Sequence, residues 1–167
     1  MSQLLRSPAV FRAVMNLWPP FWGTGISIAE LAPDYSRLVV RMKRRFYNAN
    51  AFGTHFGGSL YAMCDPFYVL MLVPRLGPDY RVWDKAASID FIKPGRGTVT
   101  AVFDWDAAEI EEILARTASG EKYEPQRVVE VRDERGELVA RVRKTLYVRK
   151  RRPEALPAAG ELQVAVE

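Results

Sequence analysis

The 167-residue chain contains one cysteine and one histidine, and each scarcity closes a line of explanation. Cys64 alone cannot form an intramolecular disulfide. With His55 it supplies too few soft ligands for a structural zinc site, so no metal is expected. A reducing, cytoplasmic setting follows. His55 stands at no hydrolase-like spacing from Ser59, and no nucleophile-elbow sequence surrounds that serine, which argues against a serine triad. There is no Walker loop, and Gly23-Thr24-Gly25 lacks the third glycine and helix start of a dinucleotide fingerprint. A charged region followed by an apolar core and a small-residue cleavage site is also lacking, so no secretory signal is expected. Residues 1 to 29 hold Arg6 and Arg12 without an acid, but they end in Trp18-Pro19-Pro20 and run into a strand-like segment, unlike a transit peptide. The most apolar stretch, Ser59 to Val73, is broken by Asp65-Pro66 and falls short of the ~20 residues of a membrane span.

What is present suits one globular domain: 49% hydrophobic and 26% charged residues, enough chain to bury a core unaided. The net charge of +4 is local. Residues 141 to 152 carry seven bases and no acid, leaving 17 bases against 20 acids elsewhere, a slightly acidic body at −3. A second cluster is Arg41, Lys43, Arg44 and Arg45. Such patches suit a phosphate-bearing ligand, an acidic surface or nucleic acid. No stacking motif or recognition-helix pattern supports nucleic acid.

Ser7-Pro8 predicts a helix start, with Phe11, Val14, Met15 and Trp18 on one face and a stop at Pro19-Pro20, giving a helix over about 7–18. Strands are expected over 25–31 and 37–45, flanking a turn at Pro33-Asp34-Tyr35-Ser36. Residues 57–73 are apolar around most of their circumference and predict a long helix buried on all sides. Two more strands, 82–93 and 98–106, surround Pro94-Gly95-Arg96-Gly97. Asp106 with Glu109 marks a capping box and a short helix closing at Gly120. A hairpin of 127–133 and 137–149 follows, in which Lys144 interrupts the apolar face and suggests a bulge or a barrel-end position. The sum is an α+β fold of about six mostly antiparallel strands wrapping a central apolar helix. A single domain is expected over 1–152, with a loose tail over 153–167.

Asp65 is the residue most at odds with its surroundings. A carboxylate in an apolar helix must be hydrogen-bonded, neutralised or held at a cleft, and an isolated ionisable group is where a tuned base or nucleophile is expected. Upstream, Asn48 to Gly58 form a small, glycine-rich loop leading into that helix. Backbone N–H groups at a helix start suit an oxyanion or a polarised carbonyl. An electrophile holder at the helix start and an acid or base two turns on would make a site.

Asn50, Gly53, Gly57-Gly58, Asp65, the apolar helix and Phe91-Ile92-Lys93-Pro94-Gly95-Arg96-Gly97 together resemble the hotdog superfamily over about residues 24 to 149. Within it they resemble the phenylacetyl-CoA-thioesterase-like branch of acyl-CoA thioesterases. Asn16 to Pro20 and Gly53 to Pro66 look most like an uncharacterised hotdog subfamily with an extra N-terminal helix. The resemblance implies that Asp65 acts as general base or nucleophile at a thioester carbonyl polarised by the Gly57 amide. Asn50 would position water or the loop. His55 stands one place before the position, here Phe56, where the family carries histidine ahead of the two glycines. Gly58, Phe56, Ser88, Asp90, Lys93 and Arg96 would line the substrate site, with Arg149 and Lys150 as contacts for coenzyme A phosphates. Coenzyme A would enter only as part of the acyl-CoA substrate, with no resident cofactor. The carboxylate and the oxyanion amide would come from different protomers, implying a homodimer or a dimer of dimers. Two alternatives are a non-catalytic acyl-CoA-binding or assembly protein and an acyl-thioester dehydratase or hydratase, whose His-Phe opening His55-Phe56 resembles.

Overall fold

The computed structural model describes residues 7–151; the expected tail at 153–167 lies outside them. The elements in chain order are α1 (Pro8–Leu17), α2 (Pro19–Trp22), β1 (Ile26–Leu31), β2 (Arg37–Lys43), α3 (Gly57–Ala62), α4 (Phe67–Leu76), β3 (Tyr80–Phe91), β4 (Thr98–Asp104), α5 (Ala107–Thr117), β5 (Lys122–Tyr123), β6 (Gln126–Asp133) and β7 (Leu138–Lys150). Six strands form one antiparallel sheet in the order β1-β2-β4-β6-β7-β3, and the two-residue β5 pairs with β7. The consecutive strands β3 and β4 are therefore not neighbours: β4 sits between β2 and β6, and β3 lies outermost beside β7.

The inner face of the sheet and α4 make the core. Phe67 of α4 packs 5.6 Å from the Phe21 ring and 5.3 Å from Phe103, while Tyr68 meets Phe103 and Trp105 at 5.1 and 5.6 Å. Val40, Met42, Val99, Ala101, Val131, Val142, Leu146 and Val148 close around them, all inaccessible to solvent.

Three local features depart from the expected pattern. Pro19-Pro20 ends α1 but also starts the single turn α2, because proline is well suited to a first helical position. The expected continuous helix over 57–73 is two helices. The Cys64 N–H reaches back to the Tyr61 carbonyl and the Asp65 N–H to that of Ala62, i to i−3 bonds that tighten the chain, and Pro66 has no N–H with which to continue the ladder. The second helix runs through Pro74 to Leu76, past the expected end. Finally, the bulge anticipated beside Lys144 lies in the facing strand. Asp84 pairs with Leu146 and Ala86 with Thr145, so Lys85 is the extra residue. Lys144 itself stays in register opposite Arg127 of β6 and Ala87 of β3.

The two outer edges of the sheet are treated differently. Asn16 accepts the Ile28 N–H at 2.6 Å and donates to the Ile28 carbonyl at 3.2 Å, and Arg12 Nε donates to the same carbonyl at 3.1 Å. The N-terminal helix thereby satisfies the open side of β1 where a further strand would otherwise pair. On β3, hydrogen-bonded among the described residues to β7 alone, Ala86, Ala87 and Ser88 are exposed.

Candidate active site

The loop before α3 is built by Asn50. Its Oδ1 accepts the N–H groups of Phe52 (2.9 Å) and Thr54 (3.1 Å), and its Nδ2 donates to Thr54 Oγ1 (3.0 Å) and the His55 carbonyl (3.3 Å). The side chain is spent on holding the loop. His55 is buried beneath the turn at residues 94–97: its N–H donates to the Gly95 carbonyl at 3.0 Å, and Nε2 lies 3.1 Å from the Gly97 carbonyl. A carbonyl only accepts, so Nε2 carries the proton and Nδ1 is a bare acceptor, buried without a hydrogen-bond partner among the described residues. Burial holds the imidazole below its ordinary pKa, the Gly97 bond opposes this, and Arg44 adds to the lowering.

That burial has a measurable consequence. The native state keeps His55 neutral where the unfolded chain would take up a proton. Its contribution to stability is complete above the ordinary imidazole value of about 6.5 and declines as pH falls below it, toward the lower folded value. Urea denaturation at pH 7.5 and 5.5 is expected to show lower stability at the acid end, with a smaller difference in His55→Gln.

A cleft of about 330 Å³ opens where this loop meets the end of β3, lined by Asn50, Thr54, His55, Gly57, Leu60 and the segment Phe91 to Gly95. Two glycines keep it open. A Cβ on Gly57 would lie 3.1 Å from the Phe91 ring, and one on Gly95 would meet Val139 at 3.0 Å and the His55 ring at 3.2 Å. Lys93 reaches the rim, where its ammonium pairs with Asp133 at 2.7 Å and with Glu137.

Asp65 stands apart from this cleft, at the break between α3 and α4, with its side chain 47% exposed. The Tyr61 hydroxyl donates to its Oδ1 at 2.8 Å. Burial, followed by this bond to a carboxylate, pushes the Tyr61 phenol up to about 12, so it remains a donor. Lys144 Nζ donates to the same Oδ1 at 3.0 Å and to the Asp65 carbonyl at 2.6 Å. Asp84 Oδ1 lies 3.0 Å from that ammonium on its other side. Burial raises the Asp84 pKa, against the pull of Lys144. Cys64, beside Asp65, is driven by burial up to about 12 and stays a thiol.

The structure thus gathers Asn50, Gly57, His55 and Lys93 around one cleft and leaves Asp65 beyond it in the same chain. Phe56 and Arg96 are exposed nearby, outside the lining, and Gly58 packs against the Phe56 ring. Ser88 and Asp90 share the outer face of the sheet with Arg143, to which Asp90 is paired at 2.6 Å. Arg149 and Lys150 lie at the far end of β7 from the cleft, and Arg149 donates to the Gly120 carbonyl.

Sequence reading missed Lys144 and Asp84. Three bases of the run at 141–152 are paired with acids: Arg141 meets Glu130 at 2.9 Å, Arg143 meets Asp90, and the fully buried Lys144 meets Asp65. The available signal was a lysine on an otherwise apolar strand face together with a lone aspartate in an apolar helix. Two opposite charges in core segments have to find each other.

A family model for a domain of unknown function, DUF4442, matches residues 7–148, most of the chain. The chain belongs to this family. Comparison with curated protein sequences finds no match. Among solved structures, the DUF4442 chain resembles a protein of unknown function from Pseudomonas aeruginosa, with 19% identity and a TM-score of 0.75 over 85% of this chain and 95% of the other. It also resembles a thioesterase from Haemophilus influenzae (16% identity, TM-score 0.60, 89% and 94% covered). A third is the PaaI protein of the Escherichia coli phenylacetic acid degradation operon (17% identity, TM-score 0.54, 83% and 88% covered). At these identities the likeness carries the fold, and the fold is the hotdog. Among the described residues no helix is long and apolar enough to cross a membrane.

Proposed function

We propose that this DUF4442 protein is an acyl-CoA thioesterase acting as a homodimer. The observation that carries the reading is the state of Asp65: a half-exposed carboxylate with Oδ1 held by Tyr61 and Lys144, on the same helical run whose start borders the cleft. Likeness in fold to the Haemophilus influenzae thioesterase supports it. Asp65 takes a proton from water as the oxygen attacks the thioester carbonyl, the C–S bond breaks, and Asp65 returns that proton to the departing sulfur, so that coenzyme A leaves as the thiol with a fatty or aryl acid as co-product. The Gly57 amide polarises the carbonyl. Attack by Asp65 itself, followed by hydrolysis of the anhydride, consumes the same water and gives the same products.

The dimer answers the separation of Asp65 from its own cleft. With β1 closed by the N-terminal helix, β3 is the edge left for a second copy. Two β3 strands pairing antiparallel about a two-fold axis bring the Tyr80 end of one, with Arg149 and Lys150 beside it, alongside the Phe91 end and cleft of the other. The basic strand end then serves the partner's cleft as a contact for coenzyme A phosphates. A second such dimer packing against the first gives the dimer of dimers.

The same separation favours the second reading, a non-catalytic acyl-CoA-binding protein. Purified protein assayed with acetyl-, octanoyl-, palmitoyl- and phenylacetyl-CoA, beside Asp65→Asn, decides between them. Hydrolysis of at least one substrate that depends on Asp65 supports the enzyme. Saturable binding without turnover supports the alternative.

A further inference from the structure

Lys144 sits in the middle of the inner face of β7, between the buried Val142 and Leu146, with a side chain wholly inaccessible to solvent. Burying an ammonium is costly unless its donors are met, and a hydrophobic residue of similar volume commonly serves a core as well or better. A lysine here therefore calls for a reason beyond packing.

Its contacts supply one. The ammonium donates to the Asp65 carbonyl at 2.6 Å and to Asp65 Oδ1 at 3.0 Å, so one group grips the backbone and the side chain of the same residue. The helix break at Pro66 exposes that carbonyl to it. Tyr61, one turn earlier in α3, grips Oδ1 from a second direction, and its ring lies 5.7 Å from the ammonium. Asp65 Oδ2 has no hydrogen-bond partner among the described residues. One carboxylate oxygen is fixed and the other faces outward.

The remaining neighbour is Asp84. The bulge at Lys85 returns Asp84 to the inner face, where its Oδ1 is an ion-pair partner of Lys144 approached off the hydrogen-bond line. Two carboxylates thus share one ammonium, with the Tyr61 hydroxyl and the Cys64 thiol as the other titratable groups against it.

We propose that Lys144 is the positioning residue of the active site, holding Asp65 through its carbonyl and Oδ1 so that Oδ2 is presented to the reacting water or thioester. The proposal rests on the thioesterase reading. It requires that kcat depend on Lys144 for a reason separable from folding. The test compares wild type, Lys144→Met, Lys144→Met/Asp84→Asn and Asp65→Asn by thermal unfolding and by steady-state kinetics on whichever of the four acyl-CoAs wild type hydrolyses. Lys144→Met leaves the buried Asp84 Oδ1 without a countercharge and unties Asp65 from the strand, and is expected to melt well below wild type. The double variant removes the second charge and is expected to recover most of that loss. Its kcat is nevertheless expected to remain about 100-fold down with KM within about twofold, the signature of a misplaced reacting group and not of lost substrate binding. A double variant with wild-type kcat, while Asp65→Asn is inactive, overturns the role of Lys144 and leaves the thioesterase reading standing. Wild-type protein inert toward all four substrates overturns both.

Discussion

Asp65→Asn is expected to lower kcat for acyl-CoA hydrolysis by about 10³-fold while leaving the protein folded and its KM little changed, read by thiol release and thermal unfolding. The size follows from the role. An amide has the shape of the carboxylate but neither takes a proton from water nor attacks a carbonyl, so everything the group does in the transition state is lost. Folding is spared because the asparagine carbonyl can still accept from Tyr61 and Lys144, and Asp84 stays 3.0 Å from the ammonium as its countercharge. If the variant instead retains activity within a few fold, catalysis does not run through this carboxylate.

The largest effect on stability is expected at Phe67. It directly follows Asp65-Pro66, opens the second helix, and is fully buried between Phe21 and Phe103. Truncation to alanine removes an aromatic side chain from the joint of helix and sheet and leaves a cavity between α2 and β4 that the packed core cannot close. Phe67→Ala is expected to cost about 3–5 kcal/mol, visible as a melting temperature lower by roughly 10 °C or more. Phe67→Leu, which keeps most of the volume, should cost less than half as much. Equal losses for the two would mean that the ring is not packed as described.

These contrasting sites show what was legible in the sequence. Local chemistry was read directly. Ser7 caps α1 ahead of Pro8, Asp106 and Glu109 form the capping box of α5, and the turn at Glu134-Arg135-Gly136 joins β6 to β7. Each depends on residues a few places apart. The apolar run at 57–73 was legible as the buried element, but its division was not, since a break at Pro66 depends on what donates to the carbonyls left open there. One such donor is Lys144, to the Asp65 carbonyl, 79 residues away. The position of β3 at the sheet edge and the bulge at Lys85 are likewise set by pairing with β7, a strand far further along the chain. The pairing of Arg141, Arg143 and Lys144 was hidden for the same reason: the acids that engage them stand on β3, on β6 and at the helix break, out of sight of any local count.

The role of the N-terminal helix also becomes physical. By satisfying the open side of β1 through Asn16 and Arg12, it makes β3 the edge on which the proposed dimer would form.

The central claim is that Asp65 of one copy works on a thioester held in the cleft of another. Mixing two inactive variants tests it most directly: Asp65→Asn, with an intact cleft, and Gly57→Val, whose cleft is filled but whose Asp65 is untouched. After co-refolding in equal amounts, sites shared between copies should yield about a quarter of wild-type activity, because random pairing makes half the dimers mixed and each mixed dimer has one complete site. Activity no greater than the sum of the two variants alone would contradict the account.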